Sequence, residues 1–510
     1  MAAMVNSSTA ALGASIALLV GMLMFSTPLI LVFIIVLLIL WLSTRRPPGL
    51  PPGPPRLPLV GNMFQMDKYI RVAFSNLRRQ YGDIFSIYLF HQPFIVLNGY
   101  NVIKEALVKN ADLFSCRPYT FLTEDYCKGK GIMNTGGVTW RDIRKFTVTS
   151  LRELGMANIK AEERIQQELT LLLKALEDQG SKEFDCKDLI YTATSNIICG
   201  LCFGKRQYEY NDPRYTKLSN AIDDIFFVPT ELTMVNLFPA LRLLPGDLFY
   251  YKRLAKAIAV MKKEIARLTE ERINAYDGEN VEDFTTAFLK EVRCRKKDDK
   301  AFDESHLDMA LTDVYMAGTT DAGNNLVWSV LYLLHYPEVQ EKCFQLIKQH
   351  IGLDRRPTMM DKPNLPYVEA VYSEILRCVD MVPTGLHYTV DHDVQFMGYT
   401  FPKGVPVIPM INSVLYDQAA WGDPQNFRPE RFLNDEGKFQ KREEFMPFSI
   451  GRRSCLGQSL FRVEQFLILT TLIQRFKFVP PSGKLRSLYG IVGIVDTARP
   501  FKCKVIPRNI

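Results

Sequence analysis

A chain of 510 residues with 47% hydrophobic and 23% charged content has the composition of a globular protein with a large core, which excludes a disordered or fibrous chain. Its 62 Lys and Arg against 55 Asp and Glu leave a formal charge of +7, modest for this length, and the absence of basic runs argues against nucleic acid as a partner. The ten cysteines are scattered, and only Cys199 and Cys202 make a C-x-x-C; with no second pair to complete a zinc site, they read as helix packing in a reducing compartment.

From Met1 to Ser43 no residue is charged. The apolar runs at 17–25 and 29–42 supply the roughly 20 residues that one membrane span needs. Arg45, Arg46 and Arg56 follow and nothing basic precedes, so the positive-inside rule puts the rest of the chain on the cytoplasmic side. Residues 1–44 are therefore expected to be a membrane anchor. Residues 45–58, with PPGLPPGPP at 47–55, form a semi-rigid proline-rich hinge. The main domain is expected over 59–510. Alternation in IFSIYLFHQPFIVL, 84–97, predicts a hairpin. Trp140 and Arg144 stand four apart and share one face of a predicted helix.

Residues 157–290 carry helical patterns, and the mixed-charge run at 293–303 reads as a solvated loop. A long helix pattern from Ser305 to Tyr336 is interrupted by MAGTTDAG, 316–323, where Gly318, Gly323 and the threonines let a helix open locally. Thr319, Thr320 and Asp321 are the candidate proton donors there, a hydroxyl and a carboxyl being suited to that work. Glu374 and Arg377 are neighbours at i and i+3, and alone such a pair is usually exposed and contributes little. The alternation of YTFPKGVPVIP, 399–409, predicts strands.

The stretch from Phe445 to Phe476 organises the chain. It is a loop with Gly451 and Gly457 around one cysteine, Cys455, followed by an apolar pattern at three- and four-residue spacing that predicts a helix with one buried face. Cys455 then sits at a helix N-terminus, where unpaired amides and the dipole favour a thiolate. The glycines suit a loop lying against a flat cofactor. A lone cysteine cannot build a tetrahedral zinc site, but it can be the single axial ligand of a haem iron. The order Phe448, Gly451, Arg453, Cys455, Gly457, F-x-x-G-x-R-x-C-x-G, resembles the cytochromes P-450, most nearly the animal microsomal family-two group.

That resemblance spans about residues 45–505. It implies a mainly α fold with a small β region, preceded by an N-terminal transmembrane helix, in the endoplasmic reticulum membrane with the catalytic domain facing the cytoplasm. It implies haem b held by Cys455, with Phe448, Gly451, Arg453 and Gly457 in the cofactor loop. Arg117, Trp140, Arg144 and His387 would meet the haem propionates, and Arg431 of PERF would complete a structural triad with Glu374 and Arg377. The reaction implied is insertion of one atom of O2 into an apolar lipid, steroid, terpenoid or xenobiotic. Electrons would come from an NADPH-dependent flavoprotein reductase, with cytochrome b5 as a further partner, docking near Lys145, Lys441, Arg442 and Arg452. The chain departs from the family where an acid followed by threonine is usual: Thr320 stands in the acid's place and Asp321 in the threonine's. Two other readings stay open on that ground. One is a reductase-independent isomerase or dehydratase acting on peroxides; the other is a non-catalytic haem protein that binds apolar ligands.

Overall fold

The computed structural model describes residues 31–32, 34–36, 38, 44–66, 69–156, 158–226, 230–295 and 302–508. The expected anchor over 1–44 lies almost wholly outside them. Among the described residues no helix is long and apolar enough to cross a membrane. By its internal contacts the chain divides into two units, Met1–Val96 with Asp393–Phe401, and Leu97–His392 with Pro402–Ile510.

In the first unit, helix α1 (Ile70–Tyr81) ends at Gly82 (φ 90) and leads into β1 (Ile84–Leu89), which pairs with β2 (Gln92–Leu97) as the alternation predicts. The turn places Phe90 at φ 55, the left-handed region that tight hairpin turns require. A second hairpin joins β3 (Val394–Phe396) to β4 (Tyr399–Phe401) in antiparallel register, Val394 opposite Phe401.

The second unit is almost entirely helical. Its main helices are α2 (Gly137–Glu153), α3 (Ile159–Glu177), α4 (Lys187–Phe203), α5 (Pro213–Phe226), α6 (Tyr251–Asn274), α7 (Glu304–His335), α8 (Pro337–His350), α9 (Pro366–Val379) and α10 (Gln458–Arg475). In α4 every residue from Leu189 to Phe203 except Gly200 is buried, its apolar residues packing all round while the polar Thr192, Thr194, Ser195 and Asn196 are satisfied by hydrogen bonds. Cys199 and Cys202 lie inside it, and burial pushes both thiols far above their ordinary range, as helix packing predicts.

Asp303 caps α7, its carboxylate accepting the His306 N–H at 2.8 Å. The helix then runs unbroken to His335, through the stretch 316–323 where the sequence pattern predicts an interruption. The glycines serve a different purpose. A Cβ on Gly318 would stand 2.3 Å from Ile198 Cδ1, and one on Gly323 2.9 Å from Tyr191 Cδ2, so both let α4 and α7 approach closely.

Helix α10 also differs from expectation. Instead of one buried face, it is buried from Leu460 to Gln474 on all sides except at Arg462. It packs against α3, α7, α8 and α9, which leaves no face for solvent. Its C-terminus passes directly into β5 (Phe476–Val479), paired antiparallel with β6 (Lys504–Pro507). The helix that begins beside Cys455 thus lies inside the core of the unit.

Candidate cofactor site

The loop before α10 is fixed by its own backbone and by two flanking contacts. Cys455 N–H donates to Phe448 O at 3.0 Å and Ser454 N–H to Gly451 O at 3.1 Å. The Phe448 ring meets Phe461 of α10 edge to face at 5.0 Å. Gly451 has φ 81, and a Cβ there would lie 1.9 Å from the Leu107 carbonyl oxygen. Its missing side chain therefore allows close contact with the 105–109 backbone. Gly457 is different: the nearest atom to its Cβ position is Cys455 Sγ at 4.0 Å, which keeps open space beside the sulfur.

Cys455 stands at the α10 N-terminus as expected, and the Gly457 and Gln458 amides do favour its thiolate. They do not win. The sulfur is reachable by solvent within a recess, yet protein surrounds it, and such a recess solvates a charge poorly. Burial, with a smaller push from the Asp321 charge, raises the thiol to about 11. A thiolate at neutral pH accordingly requires a cation bound to the sulfur.

Cationic and polar side chains from distant segments gather near this loop. Arg117 donates through Nε to Met133 O (3.1 Å) and through Nη1 to His387 O (2.7 Å), and lies 4.7 Å from the Tyr388 ring centre. Arg453 donates to Ser115 O (2.9 Å), Ile132 O (3.3 Å) and Thr135 O, and stacks 3.8 Å over the Trp140 ring. Arg144 reaches the Ser454 carbonyl and stands 5.9 Å from the same indole, so Trp140 and Arg144 do share a face.

None of these three arginines has a carboxylate partner in an ion pair among the described residues. Burial depresses all three, and Arg453 falls to about 9 with the Arg117 charge as its second cause. His387 is driven down to about 4 by burial and by Arg117, so its imidazole is neutral at pH 7. The Trp140 Nε1–H is buried without a hydrogen-bond acceptor. Desolvated guanidiniums, a neutral imidazole and an unpaired indole donor beside a thiol constitute a donor set for a metal-bearing cofactor with carboxylate groups. Among the described residues no three His, Cys, Asp or Glu side chains converge as a metal cluster, so the donor set holds one thiol.

Opposite, α7 presents Thr319, Thr320 and Asp321. Both threonine hydroxyls and Asp321 Oδ1 are buried without a partner. The Thr319 carbonyl accepts from Thr194 Oγ1 at 3.1 Å, tying this turn to α4. Asp321 is close enough to raise the Cys455 thiol, and burial lifts its own carboxyl to about 7. Asp321, in the position where the resembled family carries threonine, is thus the one that acts on Cys455. Gln465 of α10 reinforces the neighbouring turn, donating to Ala322 O at 3.0 Å and accepting from Asn325 Nδ2 at 2.8 Å.

Glu374, Arg377 and Arg431 meet as a buried triad. Arg377 binds Glu374 through Nε and Nη2 at 2.7 and 2.8 Å, and Arg431 Nε reaches Glu374 Oε1 at 2.9 Å. Their side chains are 0–1% exposed, so this is not the exposed pair its spacing alone suggests. Arg431 also donates to Trp421 O (2.6 Å) and Asn426 O (3.0 Å), while Arg377 holds Leu415 O (2.9 Å). Phe432 then packs Trp421, Phe439 and Phe445, which carries the order forward to the thiol loop.

Sequence reasoning missed Asp313. Its carboxylate accepts the Ile132 and Met133 N–H groups at 2.7 and 2.9 Å, and the carbonyls of those residues are the ones Arg453 and Arg117 grip. Burial raises this acid to about 6 against the pull of both amides. The available signal was a lone carboxylate inside the apolar run from Met309 to Met316. Gly131 (φ 86) makes room for it, since a Cβ there would lie 2.6 Å from Asp313 Oδ2.

Comparison with known proteins identifies the family. The Cytochrome P450 family model matches residues 51–505. The chain is 38% identical to cytochrome P450 2C3 of Oryctolagus cuniculus, over 88% of this chain and 91% of that protein. It is 36% identical to cytochrome P450 2H2 of Gallus gallus, over 92% and 96%. With cytochrome P450 2D14 of Bos taurus the identity is 35%, over 94% and 98%.

Proposed function

The chain belongs to the cytochrome P450 family of haem-thiolate monooxygenases, and on that premise we propose that Cys455 would bind the haem iron through its sulfur, with Arg117, Trp140, Arg144, Arg453 and His387 holding the haem carboxylates. Haem bound through a cysteine sulfur supplies the oxygen-activating chemistry, thiolate donation favouring O–O cleavage. The observation that carries the assignment is one thiol at a helix start beside desolvated arginines and an indole donor, none with a carboxylate partner. Replacing Cys455 by Ser should abolish the thiolate-type band of the reduced carbon monoxide spectrum together with turnover. Retention of both would overturn it.

The remaining roles belong to the chain's own groups. Phe448, Gly451 and Gly457 shape the loop around the sulfur. Burial keeps a proton on Asp321 up to near neutral pH, which makes its carboxyl a donor, and the Thr319 and Thr320 hydroxyls beside it are free to order water. Substituting Asp321 by Asn should lower the yield of product per NADPH consumed; full coupling would remove it from the relay. Glu374, Arg377 and Arg431 hold the segment that precedes the loop.

The substrate class is an apolar small molecule. The loop 490–496 is tied down by Ile494 N–H donating to Phe226 O (3.0 Å) and Asp496 N–H to Met381 O (2.7 Å). Residues 1–44 serve as a single-pass anchor in the endoplasmic reticulum membrane and 45–58 as the hinge, with 59–510 as the catalytic domain on the cytoplasmic side. Leu243 and Leu248, 77% and 68% exposed, fit contact with the same bilayer. Electrons come from an NADPH-dependent flavoprotein reductase, with cytochrome b5 as an additional donor. Lys145 and Lys441 are exposed and suited to an acidic partner, whereas Arg452 already pairs with Asp112 and Arg442 leans on Trp421.

A further inference from the structure

A cavity lies in the first unit, at the proline-rich segment. It has a volume of about 210 Å3 and is bounded by Thr44, Arg46, Gly53–Pro55, Arg56 and Tyr88. At ~30 Å3 per liquid water this is space for several waters or one tetrahedral anion. Prolines in the wall carry no N–H, so side chains supply the donors. Arg46 is oriented by bonds to Pro51 O (2.7 Å) and Pro54 O (3.2 Å). Arg56 is oriented by a bond to Arg45 O (2.7 Å) and by lying 4.1 Å over the Tyr88 ring. A Cβ on Gly53 would stand 2.9 Å from Arg46 Nη2 and 1.9 Å from Ser86 O, so glycine there is what lets the arginine lie against the loop.

Two donors are left over. Among the described residues Arg56 Nε and the Tyr88 hydroxyl, on a residue 2% exposed, are buried with no hydrogen-bond partner. No carboxylate among the described residues lines the cavity. The charges that act on Arg46 come from Tyr88, Tyr81 and Arg56, and those on Tyr88 from Arg56 and Arg46, with no acid among them. Paired guanidiniums beside a buried unpaired hydroxyl, without a counterion, make a site built for an anion.

We propose that this cavity binds a phosphate group, Arg46 and Arg56 neutralising it while Arg56 Nε and the Tyr88 hydroxyl donate to its oxygens. The group comes either from a phospholipid headgroup or from a free phosphate. The proposal is independent of the haem assignment. It is tested on the haem-loaded full chain in neutral detergent, titrated with dihexanoyl phosphatidic acid and, separately, with inorganic phosphate, reading phosphorus NMR line widths. Saturable broadening is expected, weakened roughly tenfold or more by Arg56→Gln and by Tyr88→Phe, each of which removes a charge-assisted donor.

Competition by inorganic phosphate identifies the free group, and saturation by the lipid alone identifies the headgroup. Unchanged affinity in both variants, or absence of saturation by either probe, overturns the site. The thiolate band of each variant reports folding without involving the cavity. Should Arg56→Gln not fold, Tyr88→Phe, which deletes a single oxygen, decides the matter.

Discussion

Glu374→Gln tests how the thiol loop is held. Glu374 accepts from Arg377 Nε and Nη2, from Arg431 Nε, and from the Arg428 N–H at 3.0 Å, in a site where none of the three side chains is more than 1% exposed. An amide keeps the shape but removes the charge and turns an NH2 toward two guanidiniums that cannot give up a proton. Breaking a buried ion pair by removing one partner costs ~3–5 kcal/mol. Net stabilities are ~5–15 kcal/mol, so the change removes about a fifth or more of a typical total. The assay is denaturant unfolding followed in parallel by the thiolate absorption and by tryptophan fluorescence, with haem content per chain as the second readout. Both should fall, and the thiolate signal should be lost first, because Arg431 orders the 421–426 segment that leads to the loop. A variant within about 1 kcal/mol of the parent, with full haem content, would refute the reasoning, since that is no more than an exposed pair contributes.

Trp140→Phe keeps an aromatic ring under Arg453 and removes the unpaired N–H with the five-membered part of the indole; if that donor serves a haem carboxylate, haem should dissociate roughly tenfold or more faster, as befits a hydrogen bond to a charged group. An unchanged transfer rate to apomyoglobin would count against the role. Asp313 has a native pKa raised to about 6, so its ionisation opposes folding: the stability it lends is full below its ordinary 3.8 and is lost as pH rises through 6. Asp313→Asn should flatten that dependence between those pH values and loosen haem binding, and an unaltered slope would exclude the acid as its source. Gly451→Ala places a Cβ against the Leu107 carbonyl and should lower haem content by displacing the loop, whereas Gly457→Ala should be better tolerated. Measuring bound haem per chain separates the two. Lys145→Glu and Lys441→Glu should slow electron delivery from the reductase without changing substrate-induced spectral shifts; equal reduction rates would remove those lysines from the docking surface.

How much of this was legible depends on how far the interacting groups lie apart in the chain. The thiol loop was readable because glycine, arginine and cysteine at fixed spacing act within ten residues. The Trp140–Arg144 face and the 84–97 hairpin were readable for the same reason, their periodicities being local. What escaped was set by tertiary contact. Burial overrides the helix N-terminus at Cys455, the enclosure of α10 hides all its faces, and the glycines of α7 serve packing against α4 instead of an opening. Asp313 and Gln465 were invisible because their partners are 180 and 143 residues away.

The short peptide at Ile132 and Met133 has a consequence of its own. Its amides point at a carboxylate and its carbonyls at two arginines, so both dipoles are aligned and cannot be turned without breaking bonds at each end. Assembling like charges in one place is ordinarily unfavourable, and here folding itself accomplishes it. An incoming dianion then finds its counter-charges stationary and has little left to rearrange, so recognition resembles insertion into a finished mould more than mutual adjustment.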